Sequence, residues 1–185
     1  MKNRPRSRAL FLLCVGLAIG YQAANIRSLE REGYFELPVE ADEAGFLLKA
    51  RQAHRLLLTD GLRAYGRFFA HSFDQRAPLF QHLTAFWYVV FGDSRRASVW
   101  YLTIYLILLM TSLLGISITG FKSAGHGMIA ALVLMGFPII MGSSRAFRAE
   151  LPLAALTSLS VCFLLLSRYF ALTRYSVLLG VSLGL

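Results

Sequence analysis

The chain has 185 residues, 56% of them hydrophobic, with a mean hydropathy of +0.56. That balance exceeds what a soluble domain carries and places the chain in the membrane class before any motif is read. The formal net charge of +9 comes from basic residues that punctuate apolar runs and form no stripe with interleaved aromatics, so membrane topology explains them and no nucleic-acid surface is expected.

Met1 to Arg8 carries Lys2, Arg4, Arg6 and Arg8 and no acid, and residues 9–26 are then uncharged. A basic start before an apolar run fits a cleavable signal peptide, with small residues at Ala18 to Ala24. The run is long for that, and further apolar segments follow. A first transmembrane helix with a cytoplasmic N-terminus is the favoured expectation.

Residues 27–98 hold nine of the ten acidic residues and ten basic ones, six of the acids falling between Glu30 and Glu43. A loop over 27–96 with short helices of its own is expected. Asp42 reads as an N-cap, followed by Phe46, Ala50, Ala53 and Leu57 at helical spacing until Gly61. A second segment sets Leu62, Tyr65, Phe68 and Phe69 on one face. A third opens at Pro78 and ends at Gly92; its uncharged run, 77–92, is short for a span and carries Gln81 and His82. With Phe86, Trp87 and Tyr88 clustered, these helices are expected to lie on the bilayer rather than cross it.

Spans are expected at 97–121, capped by Ser94, at 123–144, with Pro138 as a kink, and at 151–167. Lys122 marks one turn, and Ser143 to Glu150 a polar loop with Arg145, Arg148 and Glu150. Another apolar segment starts at Tyr175 and holds eleven residues, too few to cross, so the chain reads as the N-terminal portion of something longer. The expected fold class is all-α: a single polytopic transmembrane helical bundle with an external loop carrying short interfacial helices. Cys14 and Cys162 sit in apolar runs and read as packing residues, and His54, His71, His82 and His126 show no ligand pairing, which favours surface or interfacial roles.

Counting spans from a cytoplasmic N-terminus puts the 27–96 loop outside, Lys122 inside, the 143–150 loop outside and Arg168 to Arg174 inside. The internal segments then hold seven basic residues and no acid. Asp42, Glu43 and Glu150 emerge on one face. Arg145 and Arg148 sit on that face against the positive-inside trend, and an anionic ligand would give them a reason. If 77–92 did cross, Glu150 would lie opposite Asp42.

The order of features resembles the N-terminal half of the polyprenyl-phosphate-dependent glycosyltransferases of the C superfamily, especially protein mannosyltransferases and lipid A aminoarabinose transferases. The residues that carry the resemblance are Asp42-Glu43-Ala44-Gly45-Phe46, Ala77-Pro78-Leu79, Phe91-Gly92-Asp93-Ser94, Arg148-Ala149-Glu150-Leu151-Pro152-Leu153 and the closing Leu179-Gly180-Val181-Ser182-Leu183-Gly184-Leu185. Val99 stands where that family has an arginine near the start of a span.

The resemblance implies a plasma (inner) membrane enzyme that moves a sugar from a polyprenyl-phosphate donor to a hydroxyl on a lipid, glycan or protein acceptor. Inverting transfer needs a base for the acceptor proton and positive charge for the departing phosphate. By the resemblance Asp42 is that base, Glu43 positions substrate or a divalent metal, and Glu150 completes the acidic set. Arg145 and Arg148 bind the lipid phosphate. No cofactor is fixed by these residues. A plainer reading stays open at each point: Asp42, Glu43 and Glu150 also suit ordinary helix N-termini, and Arg145 and Arg148 also suit snorkelling to headgroups. On that reading the chain is a small polytopic membrane protein without catalysis, or an inactive fragment of the transferase.

Overall fold

A computed structural model describes residues 4–71, 78–168 and 170–184. Among them the chain forms nine helices and no strand: α1 Arg4–Arg31, α2 Ala41–Thr59, α3 Gly61–His71, α4 Pro78–Phe91, α5 Arg95–Gly120, α6 Ala124–Met135, α7 Pro138–Arg145, α8 Glu150–Leu166 and α9 Thr173–Gly184. The all-α expectation holds. Ala77 and Leu185, both part of the family resemblance, lie outside the described residues.

Two helices are long and apolar enough to cross a membrane, Arg8–Arg31 within α1 and Arg95–Gly120, or three if α6 and α7 count as one span. The 26 residues of α5 reach about 39 Å, more than the ~30 Å of bilayer hydrocarbon. α5 is the axis of the bundle, with α1, α6 and α8 packed against it and α9 beyond α8. Its buried residues, from Ala97 and Tyr101 to Leu109, Met110 and Leu114, meet Cys14 and Ala18 of α1 and Leu151 and Ala155 of α8 in the main core.

Where lipid competes with the core for apolar side chains, close approach of backbones decides packing, and small residues permit it. A Cβ on Gly127 of α6 would meet Ser117 Cβ at 2.8 Å and Leu114 Cα at 2.9 Å, and one on Gly115 would meet Cys162 Sγ at 2.6 Å. Side-chain hydrogen bonds add to this. Gln22 of α1 donates to the carbonyls of Val99 (2.8 Å) and Ser144 (2.9 Å), and Asn25 donates to Ser144 Oγ.

Pro138 does more than kink the 123–144 segment. α6 ends at Met135 with Gly136 as its C-cap, Phe137 is extended, and α7 restarts at Pro138, the two helices meeting at 66°. A proline lacks the N–H that would continue the ladder and forces the residue before it out of helical backbone. The two pieces form a broken or re-entrant segment rather than a straight helix.

The segments α2, α3 and α4 form a layer at one end of the bundle, α2 packed on α3 and α4, and α4 on α5, joined to the main core through Leu47, Ala50, Phe80 and Tyr88. Ala50 and Ala53 are fully buried in it, with Leu47, His54 and Glu43 on the same side of α2. The 14 residues of α4 span about 21 Å, too short to cross.

Candidate functional site

The end of α1 sets the site's geometry. Gly33, at φ +66°, closes α1 with the two hydrogen bonds of a Schellman turn, Tyr34 N–H to Leu29 O (2.9 Å) and Gly33 N–H to Glu30 O (3.2 Å). Tyr34 then turns inward, where its hydroxyl donates to Glu43 Oε2 at 3.0 Å. Pro38 and an extended Glu40 lead into α2, which starts at Ala41. The N-cap is thus Glu40, without a side-chain cap bond, and not Asp42. Asp42 and Glu43 occupy the first turn, where negative charge suits the helix dipole.

Consecutive positions on a helix point about 100° apart, and here that separates two carboxylates completely. Glu43 is fully buried, while Asp42 is exposed with no hydrogen bond or ion pair among the described residues. Glu43 receives Arg95 Nη2 at 2.6 Å and Tyr34 O–H on Oε2, and Arg95 Nε at 3.1 Å and the Phe147 N–H at 3.3 Å on Oε1. Both its oxygens are engaged within the protein. Arg95 in turn donates to the carbonyls of Tyr34 (2.7 Å) and Leu37 (3.2 Å), with its guanidinium 3.9 Å above the Tyr34 ring. Burial pushes the Tyr34 phenol up, and the Glu43 carboxylate adds to that.

This one knot ties the α1–α2 connection, α2, the start of α5 and the α7–α8 connection together. Arg95 escaped the sequence reading, though a signal was present. The pair Arg95-Arg96 opens a helix whose first turn has no acid, which opposes the helix dipole and calls for a partner.

The 143–150 loop sits over the same end. Arg148 pairs with Glu40, and Arg145 Nη2 pairs with Glu32 Oε1 at 2.6 Å and reaches Ser28 Oγ at 3.3 Å. Hydrogen bonds from Ser28 and Arg145 hold the Glu32 carboxyl below its ordinary range. The anionic partners of these arginines, anticipated as a ligand, are carboxylates of the chain itself. Glu150, the first residue of α8, is exposed and without a partner among the described residues. Asp42 lies two residues from Glu40, and Glu150 two residues from Arg148. The contacts of Glu43 and Glu40 with the 147–148 segment therefore bring both free carboxylates to one end of the bundle.

Among the described residues no group of three or more His, Cys, Asp or Glu side chains converges as a metal site. His54 and His82 are buried, so neither takes a surface role. His82 lies edge-on to Tyr65, Phe68 and Phe69 at 4.6–5.5 Å, and burial lowers its pKa. No family model, curated protein or solved structure matches the chain.

Proposed function

We propose that this chain carries the acidic site of a membrane glycosyltransferase, with Asp42 as the general base. The sugar comes from a polyprenyl phosphate and goes to an acceptor hydroxyl, with inversion. The bond from the acceptor oxygen to the anomeric carbon forms as the bond to the lipid phosphate breaks. Asp42 takes the hydroxyl proton, and the phosphate leaves with the electron pair. In this reading the site faces the outside of the plasma (inner) membrane and the N-terminus the cytoplasm.

The observation that carries the reading is the division between adjacent carboxylates. Glu43 is consumed by Arg95, Tyr34 and Phe147, and Asp42 is left exposed beside Glu150's end of the bundle. A base must reach a substrate proton, and Asp42 is free to do so. Glu43 then serves to fix the first turn of α2 from which Asp42 projects. Arg145 and Arg148 stand at the same end, each half-buried and carrying more N–H groups than its carboxylate uses, a suitable surround for a departing phosphate.

A second reading has an observation of its own. Glu43, Arg145 and Arg148 are all paired within the chain, which is what a bundle held by polar ties and lacking catalysis would show. Sugar transfer from a labelled polyprenyl-phosphate donor, assayed in membranes with Asp42→Asn, separates the two. Loss of transfer at normal membrane insertion supports the enzyme; unchanged transfer removes Asp42 from it.

A further inference from the structure

A short stretch of α1 grips both sides of the α6–α7 break. The Tyr21 hydroxyl donates to the Met135 carbonyl, at the end of α6, at 3.1 Å. Gln22 Nε2 donates to the Ser144 carbonyl in the last turn of α7 at 2.9 Å, and to the Val99 carbonyl of α5 at 2.8 Å. Asn25 Nδ2 donates to Ser144 Oγ at 2.9 Å, and Gln22, Asn25 and Ser144 are all buried. A helix of eight residues does not hold its own place, and the carbonyls of its last turn have no partner within it. The position of α7 is therefore set from α1. Ser144 leads directly into Arg145, Phe147 and Arg148, whose partners are Glu32, Glu43 and Glu40. Val99 lies one turn after Arg95, the other partner of Glu43.

Gln22 is costly where it stands. Both hydrogens of its amide are donated, which fixes the amide's orientation, and its Oε1 is buried with no partner among the described residues. A stranded acceptor costs at least what such hydrogen bonds gain, so cohesion of the bundle does not account for a glutamine here. What the amide does supply is a fixed spacing between the first turns of α5 and the end of α7. We propose that Gln22 is a positioning residue: it sets the α7–α8 connection, and with it Glu150, against the turn of α2 that carries Asp42. The catalytic consequence rests on Asp42 as the base of sugar transfer; the geometric one does not.

The geometry can be read without activity. Gly45 lies three residues after Asp42 and Leu153 three after Glu150, so each shares its helix face with that carboxylate, and both are exposed. An added Cβ on Gly45 meets nothing within 4 Å. Spin labels on Gly45→Cys and Leu153→Cys, with the buried Cys14 and Cys162 replaced by alanine, report the spacing of α2 and α8. Labels on Ile118→Cys and Leu164→Cys, at the far ends of α5 and α8, form the reference pair. Gln22→Leu takes the donor from the Ser144 carbonyl, so the 45–153 distance distribution should shift and broaden while the 118–164 distribution stays in place. One stranded oxygen is exchanged for another, so Gln22→Leu should melt within about 4 °C of the unaltered protein. In membranes given the labelled polyprenyl-phosphate donor, its kcat should fall by about tenfold with KM changed by less than about twofold. An unchanged 45–153 distribution overturns the proposal, whatever happens to transfer. A shift at both pairs, or a far larger drop in melting temperature, makes Gln22 a general tie of the bundle and overturns it too. A shift at 45–153 alone with transfer undiminished upholds the positioning and counts against Asp42 as the base.

Discussion

Glu43 Oε2 lies 2.6 Å from Arg95 Nη2 with both side chains buried, 52 residues apart in sequence and at the meeting point of four segments. A buried pair is costly to form but more costly to halve, because the remaining charge has no water to return to. Glu43→Gln or Arg95→Met alone should therefore lower stability by about 3–5 kcal/mol, and Glu43→Gln with Arg95→Met by less than the sum. Thermal unfolding of the detergent-solubilised protein measures both. Additive losses would show that the pair does not act as a unit.

The exposed carboxylates should behave oppositely. Asp42→Asn and Glu150→Gln remove groups with no partner among the described residues, so each should change stability by less than about 0.5 kcal/mol. The same unfolding measurement checks this, and a large loss from either would reveal a structural tie.

Helix contact in the bundle makes a steric prediction. Gly127→Val places a branched side chain where even a Cβ meets Leu114 Cα at 2.9 Å. Backbone cannot yield as a flexible side-chain tip does, so the α5–α6 hairpin should open at a cost of about 1–3 kcal/mol. Gly16→Ala, with nothing within 4 Å of the added carbon, is the matched control and should leave the melting temperature unchanged or raised.

His82 gives the α2–α4 layer a sensitivity to acid. Burial favours its neutral form, so the folded pKa lies below the ordinary 6.5. The unfolded chain then binds more protons between the two values, so stability decreases as pH is lowered across that window. The layer is fully stable above about 6.5 and weakens as pH drops through the lower, folded value. Melting temperatures from pH 8 to pH 5 should decline, and His82→Phe should flatten the decline, since Tyr65, Phe68 and Phe69 already surround the ring with aromatic edges.

How much of this was legible in sequence differs from element to element. The run at 97–121 announced α5 to within two residues because uniform apolarity and the Ser94 cap act locally, and Ser94 Oγ does accept the Ala97 N–H at 3.1 Å. The start of α8 was equally clear. The start of α2 was misplaced at Asp42 because two acids suggest a cap, whereas the extended backbone after Pro38 lets the helix begin at Ala41. The break at Gly136–Pro138 was read as a kink, since a single proline does not reveal whether neighbours will support a straight span. Span parity put the two loops at one end, because alternation needs only a count. The role of Glu43 was not readable. Asp42 and Glu43 look alike on paper, and only the approach of Arg95 and Phe147, fixed by tertiary packing, separates the buried acid from the free one.

That separation is the centre of the account, and one paired measurement tests it most directly. Asp42→Asn and Glu43→Gln are compared for thermal stability and for sugar transfer from a labelled polyprenyl-phosphate donor in membranes. The account predicts that Asp42→Asn melts like the unaltered protein yet transfers no sugar, while Glu43→Gln melts earlier and loses transfer only in step with its folded fraction. Full transfer by Asp42→Asn would contradict it.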